Sequence, residues 1–254
     1  MSTAVITNPN RLPVSLSDLK THLRISNTAS DDYLYTLLLA STSLVENFTN
    51  RKLVYQTIKV FYDQFPCSGE IKVPFGQLKS VTHVKYTDSN DDQSTFSTDY
   101  YSVDTDSDPG RIVLNYGESW PTDTLKTNNP IEIQFVCGYY SGDYWEADTA
   151  YEEDDYAEPT NANGNGLVYQ VSVAADDKES DSSEPSWPAV VGGTVVDNDL
   201  TWTCVGDGVP KAIRQAILVQ ATDYFKMREP YIVGVAHKPL RTVQALLWPY
   251  RIFV

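Results

Sequence analysis

Apolar positions in the first fifty residues recur at helical spacing. Ser15 is placed to cap a helix over 16–23, with Asp18 in a short capping box and Leu16, Leu19 and Leu23 on one face. Pro13 keeps the entry extended. A second helix follows Ser30, with Asp31 and Asp32 in the first turn, where carboxylates favour the helix dipole. Leu34, Leu37, Leu38, Leu44, Val45 and Phe48 repeat at 3.6 residues along it, and Asn50 is placed to stop it.

From Leu53 the period drops to two. Val54, Ile58, Val60 and Tyr62 read as one face of a strand. Further strands are expected at 70–73, 80–87, 100–103 and 111–115, the last two flanking the Asp108-Pro109-Gly110 turn. Residues 88–93 form a polar turn. Ile131, Ile133, Phe135 and Cys137 alternate with Glu132, Gln134 and Val136, the pattern of a half-buried strand. Residues 53–138 thus predict a small, mostly antiparallel β unit.

Helical spacing returns only near the end. Pro210 suits a first helical position, and Ile213, Ala216, Ile217, Ala221 and Tyr224 form a stripe that Glu229-Pro230 ends. A last helix is expected from Pro239, with Val243, Leu246 and Leu247 inward and Pro249 as its stop. The fold class expected is α+β: a helical bundle from both chain ends, a small antiparallel β unit, and an inserted all-β module. Two helical ends separated in sequence should pack together, since neither stripe is buried alone.

Charge marks the insertion. The 254 residues hold 34 acidic and 19 basic side chains, a formal charge of −15. Residues 141–208 hold 16 of the acids and one base, Lys178, so that stretch carries the whole −15. The expected domains are therefore a discontinuous core, 1–140 with 209–254, and an acidic β module, 141–208. A polyanionic surface cannot replace counterions on phosphates, and the neutral remainder has no basic run, so a specific nucleic-acid reader is disfavoured. No run of 18 apolar residues supports a membrane span, and the N-terminus lacks the basic start and apolar stretch of a secretory signal.

Catalytic chemistry finds little support. His22, His83 and His237 are isolated, and no hydrolase, zinc-protease or phosphate-loop motif occurs. Cys67, Cys137 and Cys204 are odd in number and widely spaced, which predicts free, buried thiols rather than disulfides or zinc. Glu152–Asp155 lacks the alternation of a calcium loop and reads as a solvated turn. Asn163-Gly164-Asn165-Gly166 reads as a hairpin turn. No enzyme activity, cofactor or metal is expected. Trp145, Tyr151, Tyr156, Tyr169, Trp187 and Trp202 crowd the acidic stretch. A small module needs such rings for its core; the alternative is a sugar-stacking or adhesive surface, which requires them exposed.

The outer segments resemble the head–tail connector (adaptor, or head-completion) proteins of tailed bacteriophages. The resemblance rests on 13–24, on Asp31-Asp32-Tyr33-Leu34 with 45–51, and on Val73-Pro74, Ser80-Val81 and Tyr86. It continues through 108–112, 135–139, Val209-Pro210, 213–216, 224–228 and Leu246–Arg251. Residues 141–208 interrupt a loop that is short in the family. Trp145, Ala150-Tyr151, Val168-Tyr169, 183–188, 193–195, Asp197 and 201–203 resemble a small β module recurrent in phage structural proteins.

The resemblance implies a structural virion protein of the neck, assembled in the host cytoplasm. It implies a homo-oligomeric, dodecameric ring beneath the portal vertex that extends the DNA channel. Its partners would be the portal protein, a stopper or tail-completion protein, and other copies of itself, with DNA passing through the lumen without specific binding and no membrane involved. The apolar ending is the expected docking element for portal or neighbouring subunit: Leu246, Leu247, Trp248, Pro249, Tyr250, Arg251, Ile252 and Phe253. Trp248, Tyr250 and Phe253 are its expected anchors, with Arg251 pairing a carboxylate. Two other function classes remain open at this point: a carbohydrate-binding virion surface protein acting through the insert, and a hydrolase using the acidic cluster.

Overall fold

The computed structural model describes residues 2–9, 11–160, 162–174, 178–227 and 241–253. The helix end expected at Glu229-Pro230, the helix start at Pro239, and His237, Arg228 and Val254 lie outside the described residues.

The chain opens with strand β1 (Ser2–Thr7), followed by helices α1 (Leu16–Leu23) and α2 (Asp31–Thr49). Then come strands β2 (Gln56–Tyr62), β3 (Glu70–Lys72), β4 (Leu78–Thr87), β5 (Gln93–Phe96), β6 (Tyr101–Asp104), β7 (Arg111–Leu114) and β8 (Ile131–Cys137). The acidic stretch supplies β9 (Asp143–Tyr144), β10 (Tyr156–Glu158), β11 (Leu167–Ala174), β12 (Thr194–Asp197) and β13 (Leu200–Asp207). Helices α3 (Lys211–Lys226) and α4 (Arg241–Leu247) close the order, with a short 3-10 turn at Trp248–Tyr250. The fold is thus a mixture of helices and antiparallel or mixed sheets.

Two compact units form. The first comprises Met1–Asn10, Glu46–Gly138 and Tyr250–Val254. It contains an antiparallel five-stranded sheet in the order β1-β2-β8-β4-β5 and a three-stranded one, β3-β7-β6. The alternation expected around Ile131 is realised in β8, the middle strand, whose Ile131, Ile133, Phe135 and Cys137 are buried and whose intervening residues are half-buried. Ile58, Val60, Val84 and Ile112 join them in one core. Trp120, Phe65 and Phe96 add an aromatic cluster, with Trp120 stacked on Phe65 at 5.2 Å and 8°. Its indole N–H donates to the Ser68 carbonyl at 2.9 Å. Gly138 is required where it stands: φ is 108°, and a Cβ there would meet the Val54 backbone at 2.5 Å.

The second unit comprises Arg11–Val45 and Tyr139–Pro249. Helix α1 starts as expected, with the Ser15 hydroxyl accepting from the Asp18 N–H at 3.0 Å. Leu34, Leu37, Leu38 and Val45 of α2 are buried, whereas Leu44 lies on the outer flank of the helix and is exposed. In α3 the stripe Ile213, Ala216, Ile217 and Ala221 is buried. Pro210 sits at the cap, one residue before the first helical position assigned to it. Helices α1 and α4 pack on α3, and the Tyr33 ring of α2 lies 6.3 Å from that of Phe225. The third sheet, in the order β12-β13-β11-β10-β9, is drawn wholly from the acidic stretch; only its β9–β10 pair is parallel.

Candidate docking surface

In the first unit the chain's ending is strapped against the turn that follows α2. Asn50 adopts a left-handed φ of 54° and turns the chain out of the helix. The Ile252 N–H donates to the Thr49 carbonyl at 2.9 Å, and the Asn50 side-chain amide donates to the Ile252 carbonyl at 2.8 Å. Arg51 completes the strap: its Nε–H donates to the Tyr250 carbonyl while its other arm pairs with Asp108. Arg51 is buried, and a guanidinium there needs such partners because desolvation of a lone cation is costly. Gly76 makes the room. Its φ is 61°, and a Cβ on it would meet Arg51 Nη1 at 2.6 Å and Ile252 Cδ1 at 2.8 Å. Glu46 braces the same corner, accepting from Lys52 Nζ and from the Leu53 N–H, each at 2.9 Å.

The expected docking residues divide. Leu247 and Ile252 are buried within the chain. Leu246, Tyr250 and Arg251 are half-buried, Pro249 is exposed, and the Arg251 guanidinium lies 5.2 Å from both the Phe48 and the Phe253 ring centres. Trp248 and Phe253 remain 58% and 70% exposed. Phe253 therefore follows directly on a backbone that is fixed at Tyr250 and Ile252, an arrangement that lowers the ordering cost of binding.

The aromatics of the acidic stretch are placed differently. Trp145, Tyr169 and Trp202 are buried and share a core with Val171, Leu200 and Cys204, against which Tyr151 and Trp187 pack. Tyr151 meets Trp202 edge-on at 4.9 Å, and Trp187 lies 4.4 Å from Tyr169. Two carboxylates organise the indoles. Asp197 Oδ2 accepts from both Trp145 and Trp202 Nε1 at 2.8 Å, and Asp181 N–H donates to its other oxygen at 2.9 Å. Glu184 accepts from Trp187 Nε1, from the N–H and hydroxyl of Thr160, and from the Asn163 amide. These donors outweigh the upward push of burial and hold the Glu184 carboxyl below its ordinary value. Of the five rings singled out as core or ligand surface, Trp145, Tyr169 and Trp202 are thus buried in the core and Tyr151 and Trp187 are half-buried against it.

The acidic stretch is also bonded to the helices of its own unit. Arg214 of α3 is clamped to Glu158 of β10, with Asp18 of α1 at 3.8 Å and the Tyr144 ring at 5.6 Å. Arg11 pairs with Asp143 at 3.1 Å and Asp155 at 3.6 Å, and the Ser141 hydroxyl donates to the Leu12 carbonyl. Burial pushes the Glu158 carboxyl above its ordinary value despite Arg214. At Arg214 burial pulls downward, but Glu158, Tyr144 and Asp18 together raise its pKa.

The remaining candidates for chemistry have structural partners. His83 Nε2 and Lys59 Nζ meet the same Glu132 oxygen at 2.8 and 2.7 Å. Among the described residues no group of three or more His, Cys, Asp or Glu is arranged to hold a metal ion. Glu152 pairs with Lys178, and its N–H donates to Asp155 within the turn. Cys137 and Cys204 are buried free thiols as expected; Cys67 is a correction, being exposed on the loop before β3. Neither the Arg51 strap nor the Arg214 clamp was signalled in the sequence, because each joins residues more than fifty positions apart.

Residues 13–108 match the family model described as phage gp6-like head-tail connector protein. None of the curated proteins compared with the chain matches it in sequence. Among solved structures the fold is similar to a chain of the neck of an empty gene transfer agent (GTA) particle computed with C6 symmetry. The TM-score is 0.62 at 15% identity, over 100% of this chain and 97% of that one. A chain in the virion of the native GTA particle gives the same values. One in the neck of the native particle computed with C12 symmetry gives 0.60 at 16%, with the same coverage. At these identities the likeness is one of fold.

Proposed function

We propose that this chain is the subunit of a head–tail connector: a structural virion protein of the neck that forms a ring beneath the portal vertex, extends the DNA channel and joins the head to the stopper or tail. The observation that carries this reading is the connector-family match over 13–108, in a chain whose fold follows particle-neck chains along its whole length. A dodecameric ring agrees with the C12 symmetry of one of those necks. Its work is structural rather than catalytic, and it assembles in the host cytoplasm.

In this reading the four helices form one bundle contributed by both chain ends, and 141–208 is a module inserted into a connector core. The module's own sheet and aromatic core support that division. Outside the module the 18 acidic and 18 basic residues cancel, which suits a wall that DNA slides past without being gripped. The module's −15 would face away from that channel.

The docking element is the strapped ending, with Trp248 and Phe253 as its anchors. Buried aromatic anchors dominate many interfaces, each costing about 2 kcal/mol or more on truncation. The test keeps the strap and removes the rings: Trp248→Ser with Phe253→Ser should lower melting by no more than a few degrees, the Arg251–Phe253 contact being lost, and reduce capture by portal-bearing heads at least about tenfold, one decade per 1.4 kcal/mol. Normal joining of the double variant would overturn this assignment, and electron micrographs of purified protein with portal that show no ring would overturn the connector reading itself.

A further inference from the structure

Strand β1 is joined to its sheet almost entirely through its backbone. It pairs antiparallel with β2, Ser2 opposite Phe61 and Val5 opposite Ile58, with a bulge at Ile6 before Thr7 meets Thr57. All six of its side chains are exposed. Val5 lies on the same face as Ile58, yet Ile58 is 1% exposed and Val5 46%, so the core ends at β2. Ile6 is 50% exposed. Ser2–Thr7 carries no charge and no proline, the devices that normally blunt an edge strand. In sequence β1 is followed by Asn8-Pro9-Asn10-Arg11-Leu12-Pro13, six residues that could reach at most about 20 Å if fully extended.

We propose that β1 is exchanged between copies: the strand of one subunit leaves its own β2 and occupies the same place, in the same register, on β2 of the next. The occupant is argued from the pairing itself, since the β2 edge already fits this sequence and a second copy carries the identical strand. Exchange conserves every ladder hydrogen bond and uncovers no core, because the incoming strand is identical to the one that leaves. It also closes without remainder: in a head-to-tail ring each subunit gives one strand and receives one, so no β2 edge is left open. The proposal rests on the ring reading above and adds the element that links neighbours.

The test uses the full chain with Cys67→Ser, which removes the exposed thiol, and with Thr7→Cys and Thr57→Cys. Facing residues of an antiparallel pair have Cα atoms about 4.5–5.5 Å apart, within the span of a disulfide. Rings assembled with portal are oxidised, denatured without reductant and run on a gel. Exchange predicts a ladder of covalently linked chains, whereas dilute monomer closes only within itself. Rings whose chains all close internally would overturn the exchange and leave the connector reading standing; absence of any ring would overturn both. Deletion of residues 2–7 decides independently of disulfide chemistry. It should leave the monomer's melting within a few degrees and cut ring formation at least tenfold. Rings formed undiminished by the deletion would overturn the exchange.

Discussion

Glu158→Ala isolates the Arg214 clamp. The two side chains are 13% and 11% exposed, so the pair is largely removed from water. Removing the carboxylate leaves a guanidinium whose nearest remaining anion is Asp18 at 3.8 Å, itself partly solvated. Orphaning one member of a buried pair costs about 3–5 kcal/mol, and the residual Asp18 contact places this variant near the lower figure, about 3. For a domain of this size that corresponds to a loss of about 6–12 °C in Tm. Replacing both partners, Glu158→Leu with Arg214→Met, removes the charge and its desolvation together, and should recover most of the loss. Differential scanning calorimetry of wild type, both single variants and the double variant measures the coupling. Glu158 also sets a pH dependence. Its folded pKa is raised by burial, so the proton-linked part of its contribution is fully present below the unfolded value of about 4.3 and is lost as pH rises through the folded value, above which the ion pair with Arg214 remains. Glu158→Gln should remove that slope. A Glu158→Ala melting curve overlying wild type, or a double variant no better than the single, would show that the clamp does not hold the acidic sheet to α3.

Two further outcomes concern other groups. Burial pushes the Cys137 thiol up to about 12, so at pH 8 it and buried Cys204 should resist alkylation while exposed Cys67 reacts; mass spectrometry should count one label per native chain and three after denaturation. The Ser107 hydroxyl, Arg111 and the Ser107 N–H hold the Asp104 carboxyl far below the carboxylate range. A depressed pKa gives stability that is present above about pH 4 and lost as pH falls through the folded value, so wild type and Asp104→Asn should differ in β6–β7 amide protection near neutrality and converge in acid.

The elements whose side chains decide their own burial were legible in the sequence. The Ser15 cap, the α3 stripe and the alternation of β8 each follow from local spacing, and each stands within a residue of its expected place. Strand β1 was not foreseen, because period-two reading needs a buried face and β1 has none. Leu44 fits the apolar repeat of α2 but lies beyond the arc its neighbours cover, and coverage is a tertiary fact. The ending was visible as an apolar run. Its division into buried and exposed residues was not: Ile252 is held by Thr49 and Asn50, and Tyr250 by Arg51, all some two hundred positions earlier. Glu158 looked like any other member of an acidic stretch, since only Arg214 distinguishes it.

The acidity of that stretch takes on a narrower meaning once its carboxylates are placed. Asp197, Glu184 and Glu158 point inward and are held by indoles, a threonine and an arginine, so they build the sheet rather than offer a site. The sheet's outer rows are uncharged: Gln170, Thr203 and Thr194 in one, Val173, Thr201 and Val196 in the next. The charge therefore gathers in turns such as Glu152–Asp155 and at strand ends such as Asp207, where it is solvated. Solvated like charges act over about 8–10 Å at physiological salt. In the ring proposed above, that range would separate neighbouring modules without reaching through the wall to DNA. Under that proposal, repulsion between copies would account for the −15 without a basic partner, and it would leave the neutral β rows as the part of the module able to approach another surface closely.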